Sequence, residues 1–356
     1  MKKSLLALAV LTAVSGAAFA QSSVTLYGKV DLGLVLDSGG PGKSIRLDSG
    51  VTGGSRIGFK GVEDLGGGLK AAFQLETGYC ADSAAPATST LTVKDSTGKT
   101  VGTTTQTSTN FCTGSNAFMG RQAHGDLTGA FGAISAGRQY SIGFNNLSTI
   151  DPFGTGYAGQ INNIVDPSGI RLNNSVTYAT PNVGGFVGAA EVAFGEQTGN
   201  WQANRETGAG LTYASGPVYV GFSFYDLSNS NGDGAAKKNY TLGGTYDFGV
   251  IKLHALAQKT SGTSSLDIVD LMGGVTVPVA HGSLMASYIH HNDRTAADKD
   301  AQQLGIGYNY PLSKRTSIYG AFARILNQHG AAFTVGNATS SGTGNKAVDI
   351  GVVHNF

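Results

Sequence analysis

The chain has 356 residues, including 54 glycines, 14 tyrosines and 16 phenylalanines, and its formal net charge is +1. A charge this close to zero does not favour nucleic-acid binding. No stretch of about eighteen apolar residues follows residue 20, which excludes a helical membrane span. The glycine and aromatic content is typical of many strands and turns. A mean hydropathy of −0.03 fits an all-β barrel that is apolar outside and polar inside.

The first twenty residues have the three parts of a secretory signal peptide. Two lysines precede an apolar run from residue 5 to residue 14, and Ala18-Phe19-Ala20 supplies the small residues that a signal peptidase accepts. We therefore predict cleavage before Gln21 and one folded domain over residues 21–356. The alternative is an ordinary buried first helix.

From residue 24 onward, segments of about ten residues alternate apolar and polar side chains. In the segment 69–79, Leu69, Phe73 and Leu75 alternate with Lys70 and Glu76, which predicts one face toward lipid and one toward a lumen. The predicted strands are 24–37, 55–63, 69–79, 117–127, 133–142, 170–180, 186–194, 205–214, 218–227, 239–248, 250–259, 267–279, 282–291, 302–310, 316–326 and 347–356.

Alternation alone also fits a soluble sandwich, in which the apolar side chains face inward. The number and the connections of the strands favour a membrane barrel instead. Tight turns rich in Gly, Pro and Asn alternate with longer polar loops, and the strand count is even, about sixteen. The sequence therefore predicts a 16-stranded antiparallel transmembrane β-barrel with short periplasmic turns, long extracellular loops and an aqueous channel.

Two long connections stand out, residues 81–116 and residues 143–169. Neither shows a strand or helix pattern of its own, and connections of that length are usually functional or disordered. We predict that the second is functional. Cys80 and Cys112 accompany the first connection, and an exported chain meets an oxidising compartment, so we predict a disulfide between them.

Distinctive short motifs occur at strands and turns along the whole chain. They are Ser23-Val24-Thr25-Leu26-Tyr27-Gly28, Ser55-Arg56-Ile57-Gly58-Phe59-Lys60-Gly61, Glu63-Asp64-Leu65-Gly66-Gly67-Gly68-Leu69-Lys70-Ala71, Gly137-Arg138-Gln139-Tyr140, Asn173-Asn174-Ser175-Val176, Tyr178, Pro181-Asn182, Gly184-Gly185-Phe186, Leu312-Ser313-Lys314-Arg315-Thr316 and the final Phe356. With these motifs the chain closely resembles the β-proteobacterial general porins, the family of the Neisseria, Bordetella, Burkholderia and Comamonas porins.

The resemblance implies an outer-membrane porin through which small hydrophilic solutes diffuse passively. It implies a homotrimer of 16-stranded barrels, embedded in outer-membrane lipid and lipopolysaccharide, whose third loop folds into each barrel and narrows it. Phe356 would be the signal read by the barrel-assembly machinery. The connection 81–116 is longer than in other members, and we expect it to latch onto a neighbouring subunit.

In anion-selective members an arginine cluster faces the third loop, and the matching motifs assign this pore constriction to Arg56, Arg121 and Arg171. Strand alternation independently directs Arg56 and Arg171 toward the lumen. Arg121 shares its phase with the apolar Leu127, so it would need a bulge to face the lumen. Arg138 shares its phase with apolar neighbours, and we expect it at a subunit interface or near the rim.

Two acids of the predicted third loop, Asp151 and Asp166, are expected to face these arginines. The opposed charges would create a transverse electric field and moderate a preference for small hydrophilic anions. The alternative for each of these side chains, arginine or aspartate, is an ordinary solvated charge.

Other chemistries find little support in the sequence. No Gly-x-Ser-x-Gly nucleophile motif is present, and we expect no enzyme activity and no cofactor. His290 and His291 are adjacent on a predicted strand and would point to opposite faces, so no metal site is expected with Asp293. Two alternatives stay open: a substrate-selective anion channel on the same barrel, and an outer-membrane enzyme or adhesin.

Overall fold

The structure is a computed structural model that describes residues 23–40, 42–83, 88–94, 100–107, 118–263 and 266–356. The predicted signal peptide lies outside these residues and stays a prediction. The described strands and α-helix are β1 (Ser23–Ser38), β2 (Ser44–Ser49), β3 (Arg56–Gly66), β4 (Leu69–Gly78), β5 (Thr88–Lys94), β6 (Thr100–Thr107), β7 (Gln122–Gly129), β8 (Gly132–Tyr140), α1 (Ile142–Ile150), β9 (Arg171–Ala179), β10 (Phe186–Ala193), β11 (Glu206–Ser215), β12 (Val218–Ser228), β13 (Ala235–Asp247), β14 (Lys252–Gly262), β15 (Asp267–Val279), β16 (Gly282–Asp293), β17 (Ala301–Pro311), β18 (Thr316–Asn327) and β19 (Lys346–Asn355).

The main sheet closes on itself, because β1 pairs antiparallel with β19 from Lys29↔Asn355 to Ser38↔Lys346. Its other strands pair antiparallel with their neighbours along the chain. Strand β2 pairs with residues 32–37 of β1, and β3 pairs with residues 23–29 of the same strand. Together they therefore occupy one strand position of the barrel wall. The described residues therefore form a closed 16-stranded antiparallel barrel, which confirms the predicted fold. Closure leaves no strand edge unpaired in lipid.

The bounds of the predicted strands agree with the structure to within a few residues, and two features were not predicted. The short strand β2 lies in a segment that we assigned to a loop. Strands β5 and β6 form a separate two-stranded hairpin within the connection 81–116, so the prediction that this connection has no strands is wrong for its described part. Cys112 lies outside the described residues, and the disulfide with Cys80 stays a prediction.

The barrel wall is apolar outside and polar inside. On the outer face Leu34 and Ile350 are 50% and 59% exposed. On the inner face Asp31, Gln303 and Asp349 are fully buried. This distribution is the inverse of a soluble sandwich and fits a wall surrounded by hydrocarbon. Among the described residues, no helix is both long and apolar enough for a membrane crossing.

Residues 141–170, which we call loop 3, lie inside the barrel. The loop starts with α1, whose helix contacts the inner face of β10 to β14, and continues through a short 3₁₀ turn at Ile161–Asn163. The inward fold confirms the prediction, but the expectation that the loop has no helix is wrong. A hydrophobic core forms between loop 3 and the wall, and its fully or nearly fully buried members include Leu147, Ile150, Ile161, Val165, Leu256, Met272, Ile289 and Ile325.

Glycines on the inner face give loop 3 the space to approach the wall. A Cβ at Gly243 would lie 2.8 Å from Ile150 Cδ1, and one at Gly274 would lie 2.5 Å from Pro152 Cγ. Such distances are shorter than real side chains tolerate, so any larger residue would have to push the loop away. These glycines therefore fix how close loop 3 lies to the wall.

We expect Gly274→Val to lower the free energy of unfolding by about 1 to 3 kcal/mol, because the new side chain overpacks the contact with Pro152. The matched control is Gly273→Val on the same strand, where a Cβ would meet nothing within 4 Å. Urea unfolding in lipid bilayers measures both variants. Equal stability of the two variants would contradict the packing of loop 3 described above.

Candidate functional site

A cavity of about 690 Å³ separates loop 3 from the part of the wall formed by β1, β3 and β7 to β9. Five cationic side chains line it from the wall, namely Lys29, Arg56, Arg121, Arg138 and Arg171. The opposite side is neutral and polar, with Asn145 and Ser148 of α1 and Thr155 and Gln160 farther along loop 3. The three predicted arginines therefore line one space that loop 3 closes from the other side.

Tyr140 holds two of the arginines. Its hydroxyl oxygen accepts hydrogen bonds from Arg121 at 2.8 Å and from Arg171 at 2.7 Å, while the Arg171 guanidinium lies 4.5 Å from the centre of the Tyr140 ring. The same ring stacks on Phe144 of α1, with centroids 5.1 Å apart. Arginine suits such stacking because its guanidinium is planar and weakly hydrated. One tyrosine thus links the cationic wall to loop 3.

Glu76 on β4 provides the counter-charge. Its carboxylate accepts a hydrogen bond from Arg121 Nε at 2.7 Å and one from the Tyr27 hydroxyl at 3.0 Å, and it lies 3.9 Å from Arg56 Nε. In the described part of the chain no other carboxylate lies within 4.0 Å of the five cations. The cavity therefore keeps a large positive excess.

Comparison with known proteins agrees with this architecture. A family model described as Gram-negative porin matches residues 7–330. Outer membrane porin protein 32 of Delftia acidovorans is 33% identical, and an outer membrane porin protein of Bordetella pertussis is 30% identical; both alignments cover 100% of each chain. The chain belongs to the Gram-negative porin family.

Solved structures show the same fold. The anion-selective porin from Comamonas acidovorans superposes with a TM-score of 0.74 at 29% identity, over 94% of this porin and 100% of that chain. OmpT of Vibrio cholerae superposes with a TM-score of 0.63 at 14% identity, over 94% of this porin and 98% of that chain, a likeness of fold alone. The protein is thus an outer-membrane porin, a water-filled channel for small hydrophilic solutes, and not an enzyme.

The predicted orientations of the porin's arginines are right for some positions and wrong for others. Arg56 and Arg171 face the lumen as strand alternation predicted. Arg121 precedes β7, which begins at Gln122, so strand phase does not govern it. Arg138 also lines the cavity, and its prediction at an interface or rim is wrong. The pairing of β8 with β9 is irregular here, because Asn173 and Asn174 on β9 lie opposite Arg138 alone, and strand alternation is a poor guide beside such a bulge.

The two predicted acids of loop 3 do not face the arginines. Asp151 is 4% exposed and accepts hydrogen bonds from the backbone N–H groups of Phe153, Thr155 and Ile161 at 2.9 to 3.1 Å. Its carboxylate organises the turn that follows α1. Asp166 lies on the other side of loop 3, where its carboxylate accepts a hydrogen bond from Lys237 at 2.7 Å. The expected transverse field between these acids and the arginines is therefore not supported by their positions.

The start of loop 3 is fixed to the wall through a helix N-terminus. The Ser141 hydroxyl accepts a hydrogen bond from Phe144 N at 2.9 Å, which is the usual N-cap contact. The carboxylate of Glu191 on β10 accepts one from Ile142 N at 3.1 Å. A carboxylate at this helix end also interacts favourably with the helix dipole. Glu191 thus anchors α1 to the barrel.

Two other positions considered in the sequence, His291 and Phe356, lie away from the cavity. His291 contacts the Asp270 carboxylate at 2.6 Å, and no group of three or more metal-binding side chains occurs in the described ranges. Phe356 lies at the seam, where its backbone exchanges two 3.1 Å hydrogen bonds with Gly28. It therefore helps to join the last strand to the first.

Lys29, Tyr140 and Glu76 also belong to the site, although none of them was predicted as a site residue. Strand phase could have found Lys29, because it alternates with Leu32 and Leu34 on β1 and lies opposite Arg56 in the register. The role of Tyr140 depends on contacts between three separate elements, and no periodicity indicates it.

Burial raises the pKa of Asp151 from 3.8 to about 6, although its three backbone hydrogen bonds lower it. The folded porin then holds this proton more tightly than the unfolded chain, so the stabilisation is complete below about pH 4 and lost as the pH rises through 6. Relative to Asp151→Asn, we expect the wild type to lose about 1 to 3 kcal/mol of unfolding free energy between pH 4 and pH 7.

Urea unfolding at the two pH values tests this expectation. The other titrating groups are the same in both proteins, so the difference between the wild type and the Asn variant isolates the contribution of Asp151. An identical change in both proteins would show that Asp151 does not titrate in this range.

Proposed function

We propose that this porin is a general diffusion channel with a preference for anions, and that Arg56, Arg121 and Arg171 form its constriction together with Lys29 and Arg138. The observation that carries the proposal is the excess of charge: five cations face the passage beside loop 3, and among the described residues Glu76 alone pairs with them. The anion-selective porin from Comamonas acidovorans, which has the same fold, adds support.

The mechanism is passive filtration. A water-filled channel spares a polar solute the cost of entering hydrocarbon, and the narrow part sets size and charge preference. Cations along a cleft with low-dielectric walls raise the local concentration of anions and repel cations. Arginine is suited to this role because its charge is permanent and its planar fork offers an anion several donors.

The neutral side of the passage contributes in a different way. Asn145, Ser148 and Thr155 offer amide and hydroxyl groups without a charge. Such groups can replace part of the hydration shell of a passing solute without holding it. The cationic wall would therefore attract an anion, and the neutral side of loop 3 would let it pass without binding it tightly.

We also propose the assembly that the family resemblance implies. The porin would be exported through its signal peptide, recognised at Phe356 by the barrel-assembly machinery, and inserted next to lipopolysaccharide as a homotrimer. The hairpin β5–β6 supports a latch to a neighbouring subunit, because it forms a sheet separate from the barrel wall. OmpT of Vibrio cholerae, which shares the fold, has been solved in a trimer form.

We expect a chloride-favouring reversal potential for the refolded mature porin in planar bilayers under a KCl gradient. In the double variant Arg56→Ser/Arg171→Ser, the ratio of chloride to potassium permeability should fall several-fold, because two of the five cations are lost. Arg121 is left in place, since its removal would leave buried Glu76 without its main partner.

Two companion variants sharpen the test. Glu76→Gln removes the counter-charge and should shift the potential further toward chloride. Lys314→Ser/Arg315→Ser removes two exposed cations from the periplasmic turn between β17 and β18 and should leave the potential unchanged. A cation-favouring wild type, or an arginine variant that behaves like the wild type, would overturn the proposed constriction.

A further inference from the structure

The carbonyl group at the end of α1 is bound by a histidine of the barrel wall. Ile150 is the last residue of α1 and is fully buried. The last carbonyls of a helix have no partner within the helix, and a buried one needs a partner from outside it. His254 on β14 supplies this partner, because its Nδ1 lies 2.7 Å from the Ile150 oxygen. His254 is 6% exposed and does not line the cavity beside the arginines.

The two partners of the His254 ring determine which of its nitrogens carries a proton. A carbonyl oxygen only accepts hydrogen bonds, so Nδ1 has to be the donor to Ile150. In a neutral ring Nε2 then keeps its lone pair, and it accepts a hydrogen bond from the Thr276 hydroxyl, which lies 3.1 Å away. Both nitrogens therefore have a suitable partner when the proton is assigned to Nδ1.

His254 lies among the glycines on which the end of α1 rests. Its register partner on β15 is Gly274, which leaves room for Pro152. Its register partner on β13 is Thr245, two residues after Gly243, which leaves room for Ile150. Glycines allow the loop to approach closely, but they have no side chain that could hold it. His254 adds a directed polar contact at this place.

The position of the end of α1 determines where the neutral side of the passage lies. Asp151 follows Ile150, and its carboxylate accepts hydrogen bonds from three N–H groups of the next turn. These bonds connect the turn firmly to the end of the helix. Thr155 and Gln160 belong to the same part of loop 3 and line the cavity opposite the arginines. A displacement of Ile150 from His254 would therefore move the neutral side of the passage.

We propose that His254 is a positioning residue of the channel, which holds the end of α1 and thereby fixes the width of the passage beside loop 3. It acts through loop 3, since its own side chain lies outside the passage. The inference goes beyond the proposed anion preference, because it concerns the width and the steadiness of the passage and not its charge. It rests on the part of the proposed function that places the passage between loop 3 and the cationic wall.

The first test compares His254→Asn and His254→Leu with the wild type, each as the refolded mature porin in planar bilayers. The Asn side chain keeps an N–H donor near the position of Nδ1, whereas Leu offers none. Single-channel recordings give the noise of the open-channel current and the voltage at which channels close.

We expect His254→Leu to raise the open-channel noise several-fold and to lower the closing voltage, because the end of α1 is no longer held. His254→Asn should behave like the wild type. A Leu variant as steady as the wild type would overturn the proposal. Equal noise in the Asn and Leu variants would also overturn it, since the ring would then contribute only by packing.

A second measurement keeps the proposal testable even if the Leu variant does not fold. The wild type is labelled with ¹⁵N in its histidines and studied by solid-state NMR in lipid bilayers. The signals of His254 are those that are absent from the Asn variant. We expect a proton on Nδ1. A ring without a proton on Nδ1 has no donor for the Ile150 carbonyl and would overturn the proposal.

The reversal potential separates this inference from the proposed selectivity. His254→Leu should keep the sign of the wild-type potential, because the five cations of the wall are unchanged. If Arg56→Ser/Arg171→Ser left the potential unaltered while His254→Leu raised the noise, the proposed constriction would fail and the role of His254 would stand.

Discussion

The packing of loop 3 against the inside of the barrel wall determines the other features of this porin. A closed sheet of sixteen strands alone would surround a wide aqueous space. Loop 3 fills part of that space because it forms a hydrophobic core with inward side chains of the wall, around Leu147, Ile150 and Ile161. The barrel thus has two apolar surfaces, one toward lipid and one beneath the loop. The channel is the space that remains between the polar side of loop 3 and the wall that carries the arginines.

The charge distribution follows from this asymmetry. Helix α1 of loop 3 packs against β10 to β14, and the polar side of the loop faces the opposite wall, where Arg56, Arg121, Arg138 and Arg171 lie. Asp151 and Asp166, by contrast, serve the loop and its anchoring. Glu76 and Tyr140 hold Arg56, Arg121 and Arg171 in place although these three cations repel one another. Neutral and cationic sides therefore face each other, and the field in the passage comes mainly from the cationic wall.

The barrel could be predicted from sequence because its signals are local. Alternation along each strand, as in the segment 69–79, reports which side chains face lipid, and tight turns mark the strand ends. The same rule assigned Arg56 and Arg171 correctly. It failed for Arg138, which lies beside an irregularity in the pairing of β8 with β9, and it did not apply to Arg121, which lies before its strand. Local periodicity cannot detect either change.

The contacts inside the site could not be predicted from the sequence alone. No pattern in the sequence indicates that Asp151 would turn back to three N–H groups of its own loop, because that contact depends on the path of the chain after α1. The role of Tyr140 likewise depends on three elements that meet only in the folded barrel. The inward glycines are visible in the sequence, but their partners, such as Pro152 above Gly274, are not.

Anomalous diffraction from crystals of the porin soaked in bromide would show where anions bind inside the barrel. We expect a bromide peak in the cavity between loop 3 and the wall, within contact distance of Arg56 or Arg171. A peak on the opposite side of loop 3, near Asp166 and Asp270, or no peak beside the arginines at saturating bromide, would contradict it.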